Sequence, residues 1–175
     1  MVLGVTCLLT IPVLAWIASS FWWRHWGFNT VLYGLFSFGS LALIAYPVIY
    51  VGGLYLYARE LRFLVAQVPE ANRLIHPKLV WLIVAVPLNF VGSIYVIARI
   101  GQSLRGDGRI SALVAQRWSA IGLSWAALQI MAFFPNAVVS LVVVLLAYFA
   151  WGAHWLESAR LSEQLASLAG VAHER

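Results

Sequence analysis

The side chains of this 175-residue sequence that can do chemistry are few, and most stand at the edges of long uncharged runs. His25 follows the aromatic cluster Phe21-Trp22-Trp23, and His154 lies between Trp151 and Trp155. If the segments beside them cross a membrane, both imidazoles come to one surface, where two neutral rings can ligate a haem iron or another metal. The same histidine, with Glu157 one helical turn further on, could serve a lipid-modifying enzyme. Against both readings stands the ordinary place of His and Trp at a wet interface, where an amphipathic ring keeps its polar edge in water. His76, beside Pro77, and His173 are expected in solvent. Cys7 is the single cysteine, so no internal disulfide and no cysteine-based zinc or iron–sulfur site can form. The G-x-S-x-G and H-E-x-x-H motifs are missing, and the Gly106-Asp107-Gly108 turn lacks the rest of a phosphate loop. The expectation is a chain with no catalytic residue, no metal and no cofactor, and the His25/His154 haem pair is a minor alternative.

A second group is polar but uncharged: Asn89, Ser93, Gln129, Tyr46 and Tyr50, all inside apolar runs. Such groups ordinarily tie helices together, for about 0.6 kcal/mol each on average in membranes, and otherwise line whatever passes between them. Gly122 and Ala126 form a small-x-x-x-small face that shares a side with Gln129. No Asp, Glu, Lys or Arg falls inside these runs, which argues against a proton-coupled pump. A third group, Arg99, Arg105, Arg109 and Arg117, brackets a Gly-rich turn and suits anionic lipid headgroups or a partner. The net charge of +5 is split between loops and forms no continuous stripe, so nucleic acid is not expected.

The elements that must position these groups read as membrane spans. The chain is 63% hydrophobic and 10% charged, with mean hydropathy +0.88, where soluble domains carry about 25% charged residues. The fold class expected is all-α: a polytopic integral membrane protein of the cell (inner) membrane, in one membrane domain, without a signal peptide. Five spans are read at about 1–23, 28–58, 79–98, 118–134 and 137–156, with an amphipathic tail at 157–169. The tail carries Leu156, Leu161, Leu165 and Leu168, should project past the bilayer, and should stop near Gly170. In the second run, Gly39, Tyr46, Tyr50, Gly53 and Tyr57 share one helical face, the expected buried one.

The run 79–98 carries Pro87, Asn89, Gly92 and Ser93 in its middle, and a second topology follows from it. With five spans, Arg24, Arg99, Arg105, Arg109, Arg117, Arg160 and Arg175 share the cytoplasmic side with the C-terminus, opposite Arg59, Arg62, Arg73 and Lys78. If 79–98 instead re-enters, turning at Pro87-Leu88-Asn89, every basic residue but Arg24 shares one side. The charge rule prefers re-entry. The need to satisfy backbone N–H and C=O groups in hydrocarbon favours a continuous helix, and five spans is the primary expectation. The function expected first is a non-enzymatic helical subunit that packs into a larger membrane assembly or onto itself. A channel or small-molecule/lipid transport component comes second, and the haem or lipid enzyme third.

Overall fold

The computed structural model describes residues 10–12, 15, 40–85, 88–133 and 136–173. His25 and most of the first expected span therefore lie outside the described residues, as does the beginning of the second up to 39 and the side chain of Tyr46. Among the described residues the protein is all-helical, with no strand. Four long helices, α1 (Ser40–Ala66), α2 (Asn89–Asp107), α3 (Ala112–Met131) and α4 (Ala137–His173), are joined with two 3-10 pieces, Glu70–Asn72 and Pro77–Ile83. One helix among the described residues is long and apolar enough to cross a membrane by length and composition: Val138–Leu168 within α4, at mean hydropathy 1.8.

Local chemistry sets the boundaries. α2 ends on Gly108, whose φ of 76° is the left-handed conformation that relieves a helix C-terminus. Ser111 then caps α3 by accepting from the Val114 N–H at 3.3 Å. Asn136 caps α4, its Oδ1 accepting from the N–H groups of Val138 and Val139, both at 3.1 Å. The exposed carbonyls at the end of α1 are met by two arginines. Arg73 donates to the Ala66 and Val68 oxygens at 2.9 and 2.8 Å, and Arg109 donates to Gln67 O at 2.7 Å.

Among the described residues the run 79–98 is not one helix, and the expectation of a continuous helix there is corrected. It divides into the 3-10 piece Pro77–Ile83 and α2, which begins at Asn89. The sequence gives a reason for the division: a proline at 87 has no N–H for a helical bond and disfavours helical backbone in the residue before it. The two pieces lie side by side. At the open end the Leu74 N–H donates to Ser103 Oγ at 2.9 Å. Near the closed end the backbones almost touch: a Cβ on Gly92 would stand 2.8 Å from the Leu82 carbonyl oxygen. Only glycine admits that approach, and the hairpin closes on it.

Contacts between helices give their directions. Phe90 meets Phe133 at 5.7 Å between ring centroids while Gly101 packs on Ser119, so α2 and α3 are antiparallel. Trp118 bonds Ser158 and Ser140 bonds the Ala132 carbonyl, so α3 and α4 are antiparallel. Tyr50 meets Trp151 and Tyr57 meets Trp155, so α1 runs parallel to α4. The arrangement gathers the charges of these helices at one end, where Arg109 reaches Gln67 and Arg117 reaches Glu157. The opposite end, with Phe90, Phe133 and Ser140, has no charged side chain among the described residues.

Three further boundaries differ from the sequence reading. α3 starts at Ala112 rather than 118, because Ser111 supplies a cap six residues earlier. α4 continues unbroken from 137 through the expected tail and past Gly170 to His173. The tail does not present a four-leucine stripe. Leu161 and Leu165 are buried in the main core, whereas Leu156 and Leu168 face outward. It docks on its own protein, beside a shallow groove of about 270 Å³ lined by Arg109, Ile110, Ser111, Val114, Gln164, Ser167 and Leu168.

Candidate functional site

The most developed polar constellation lies where α1, α3 and α4 meet. His154 on α4 is fully buried, and the Tyr57 hydroxyl on α1 donates to its Nδ1 at 2.6 Å. With the phenol as donor, the phenolic hydrogen and Nδ1 are paired and the ring proton falls on Nε2, which has no hydrogen-bond partner. Trp118 on α3 covers the imidazole, ring centroids 4.3 Å apart. Its Nε1–H donates to Ser158 Oγ at 2.9 Å, and the Ser158 hydroxyl donates to the His154 carbonyl one turn back at 2.7 Å. Trp125, Trp151 and Trp155 surround the Tyr57 ring at 5.2, 6.1 and 6.1 Å. Two glycines make this possible. A Cβ on Gly122 would overlap His154 Nε2 and come within 2.8 Å of Ile97 Cγ2, and one on Gly53 would stand 2.7 Å from the Trp151 ring.

This geometry corrects the reading of His154 as an interfacial ligand. Nδ1 is taken by Tyr57 and Nε2 faces the backbone of Gly122, so neither nitrogen is open to a metal or haem iron. Glu157 does not orient the histidine; it pairs with Arg117 at 2.8 Å. Ser158 is held by Trp118 and a backbone carbonyl and offers no nucleophile–base pair. Among the described residues no group of three or more His, Cys, Asp or Glu side chains is placed to hold a metal ion. The constellation is a polar clamp that joins three helices.

The uncharged polar residues gather elsewhere. Asn89 and Ser93 on α2 and Gln129 on α3 are all buried, and Asn89 Oδ1, Ser93 Oγ and both amide atoms of Gln129 have no hydrogen-bond partner. The expectation that they bond helix to helix is therefore not met by these atoms. Ala126 is fully buried, and Gly122 lies against His154 and Ile97. Tyr50, partly buried, packs edge-on against Trp151.

The four arginines separate into two kinds. Arg109 holds Asp107 through two bonds, 2.7 and 2.6 Å, which raise its pKa above the ordinary guanidinium value, and it also reaches Gln67 O. It is an internal tie between loops, and its expected role at lipid headgroups is corrected. Arg99, Arg105 and Arg117 are exposed. Arg99 lies 5.7 Å from the Tyr95 ring and bonds Gln102 at 3.1 Å, while Arg105 leans on the Gly101 carbonyl.

Sequence reasoning passed over Tyr57, Trp118 and Ser158 as site residues. Two signals for them were present: a serine four residues after a histidine on a helix, and glycines at 53 and 122 spaced for close approach. No family model, no curated protein and no solved structure matches this chain.

Proposed function

We propose that the chain is a multi-pass helical protein of the cell membrane, a non-enzymatic subunit that packs with other membrane-protein subunits or with copies of itself. The observation that carries this reading is the outer face of α4. Val138, Leu141, Val142, Leu145, Leu146 and Phe149 all stand exposed along a helix long enough to cross a bilayer. Val48, Ile49 and Leu56 extend the apolar surface onto α1. A row of exposed large apolar side chains along one helix belongs against lipid or another protein. The buried residues, in contrast, include the Tyr57–His154–Ser158 clamp, whose hydrogen bonds from Tyr57 to His154 and from Trp118 to Ser158 run between helices and whose role is to hold them rather than to react.

In this reading the hairpin of 77–83 and α2 enters and leaves on one side, giving four spans plus a re-entrant segment. Its side-by-side packing supports that arrangement, and so does the charge: exposed Arg59, Arg62, Lys78, Arg99, Arg105, Arg117 and Arg160 then face one surface, the cytoplasmic one, toward anionic headgroups. The C-terminus lies on the same side. The cost of irregular backbone within the membrane is met because protein covers it, with Val80, Leu82 and Ile83 buried against the core.

Cytoplasm-dependent reporters fused after residues 68 and 107 test the topology, and both are expected to be active. Activity at one position only would refute re-entry. Release of the protein by alkaline carbonate would refute the membrane reading itself. Native mass spectrometry from gently solubilised membranes is expected to find it in complexes, and a lone monomer with a bound cofactor would overturn the subunit role. A transport component is the second reading, favoured by the unpartnered polar atoms of Asn89, Ser93 and Gln129.

A further inference from the structure

Asn89, Ser93 and Gln129 are brought to one place by the packing of α2 on α3. Ile97 meets Gly122 across the seam. Ser93 lies one turn before Ile97 on the same side of α2, with Asn89 a turn earlier still. Gln129 lies two turns beyond Gly122 on the same side of α3. Because the helices are antiparallel, the three side chains fall level with one another, roughly 6–12 Å along the axis from the Ile97–Gly122 contact. They sit beside the closed end of the hairpin, where the first backbone N–H groups of α2 also lack intrahelical partners.

All three side chains are more than nine-tenths buried, and four of their polar atoms are unpaired. A buried polar atom left so costs about 1–3 kcal/mol. A set of several on facing helices therefore marks a place that something polar occupies. The chemistry of the set narrows what that is. No Asp, Glu, Lys or Arg lies between Leu79 and Ala98 or between Trp118 and Leu156, so an ion would enter with no opposite charge to offset its desolvation. A ligand that only accepts would leave Asn89 Oδ1 and Gln129 Oε1 without donors, and one that only donates would leave Gln129 Nε2 unused. A hydroxyl group does both.

We propose that Asn89, Ser93 and Gln129 form an intramembrane binding site for a neutral hydroxyl group, supplied by water or by the glycerol hydroxyl of a lipid. A lipid hydroxyl donates its one hydrogen to Asn89 Oδ1 or Gln129 Oε1, whereas water can donate to both; in either case Gln129 Nε2 donates to the ligand oxygen, and Ser93 can donate to it or accept from water. The proposal rests on the membrane reading but not on the sidedness of the hairpin, so the reporter fusions and the following experiment fail independently.

The test uses the full chain, labelled with nitrogen-15, in phosphatidylcholine vesicles, whose lipid carries no hydroxyl. Water-edited solid-state NMR is expected to show magnetisation reaching the side-chain amides of Asn89 and Gln129 several-fold faster than the backbone amides of buried Val143 and Ala147. A second sample containing monoolein is read for cross-peaks from its glycerol protons to the same amides. Transfer from water in the first sample assigns the site to water. Cross-peaks confined to the second assign it to a lipid hydroxyl. Absence of both overturns the proposal. Gln129→Leu is expected to weaken the signal at Asn89, and since the decisive comparison is made on the unmodified chain, a variant that fails to fold leaves the result standing.

Discussion

Replacing Tyr57 with phenylalanine isolates one atom of the three-helix clamp. The ring stays, and with it the packing against Trp125, Trp151 and Trp155, so no cavity opens. What is lost is the hydroxyl that donates to His154 Nδ1 at 2.6 Å, in a site where both residues are fully buried. Interhelical hydrogen bonds in membranes average about 0.6 kcal/mol, because the separated helices find other partners. Leaving a buried acceptor unpaired costs more, about 1–3 kcal/mol. Here Nδ1 is enclosed by aromatic rings, so Tyr57→Phe should cost about 1–2 kcal/mol, a 5- to 30-fold change in the folded-to-unfolded ratio. The assay is reversible unfolding in bicelles, by steric trapping or by titration with SDS, on the wild type, Tyr57→Phe, His154→Leu and the double variant. A direct bond between the two side chains predicts a coupling energy of about 1 kcal/mol or more. Additivity of the two single changes to within about 0.3 kcal/mol would refute the clamp.

Gly122→Ala should lower stability by about 1–3 kcal/mol through overpacking against His154 and Ile97, whereas Gly52→Ala, with nothing within 4 Å, should be neutral or slightly stabilising; thermal unfolding compares them. Arg109→Lys should lose about 1 kcal/mol and expose the 105–117 loop to trypsin, since an ammonium cannot hold Asp107 twice and Gln67 O together. Because the Arg109 pKa is raised, its contribution is present at every pH below the free guanidinium value and is lost only as pH rises through the raised one, so the Arg109→Lys difference should stay flat as the unfolding midpoint is followed from pH 7 to 9, below the range where the lysine itself titrates. Glu157→Gln, which removes the carboxylate facing a largely exposed Arg117, should change stability by less than about 1 kcal/mol in the same unfolding assay.

Much of this architecture was legible from composition and punctuation. Uncharged runs announced helices, and the Gly106-Asp107-Gly108 turn announced the end of one. The hairpin was half legible. Pro87 and the distribution of Arg and Lys both pointed to reversal, but the fit of Gly92 onto the Leu82 backbone is a tertiary contact that no periodicity announces. The clamp was misread for a similar reason. His154 sits between two tryptophans along the chain, as interfacial residues do. Only the packing of α1 and α3 on either side of it reveals that the ring is enclosed. Arg109 was grouped with its neighbours on charge alone, although its carboxylate partner lay two residues away at Asp107.

The gathering of charge at one end also bears on how the protein is made. In the proposed topology, what must cross the membrane after α1 is the closed end of the hairpin and the short connection between α3 and α4. Neither Leu79–Ala98 nor Trp118–Leu156 contains a charged side chain, so no step of that passage carries the roughly 2.5–3.5 kcal/mol toll that an Arg, Lys or Asp meets at the bilayer centre. Each hairpin can slide in as a folded-back pair with its polar loop left behind on the ribosome's side. Such a chain suits an insertase that only lowers the barrier at the lipid boundary, with no need for a motor that drives polar loops through.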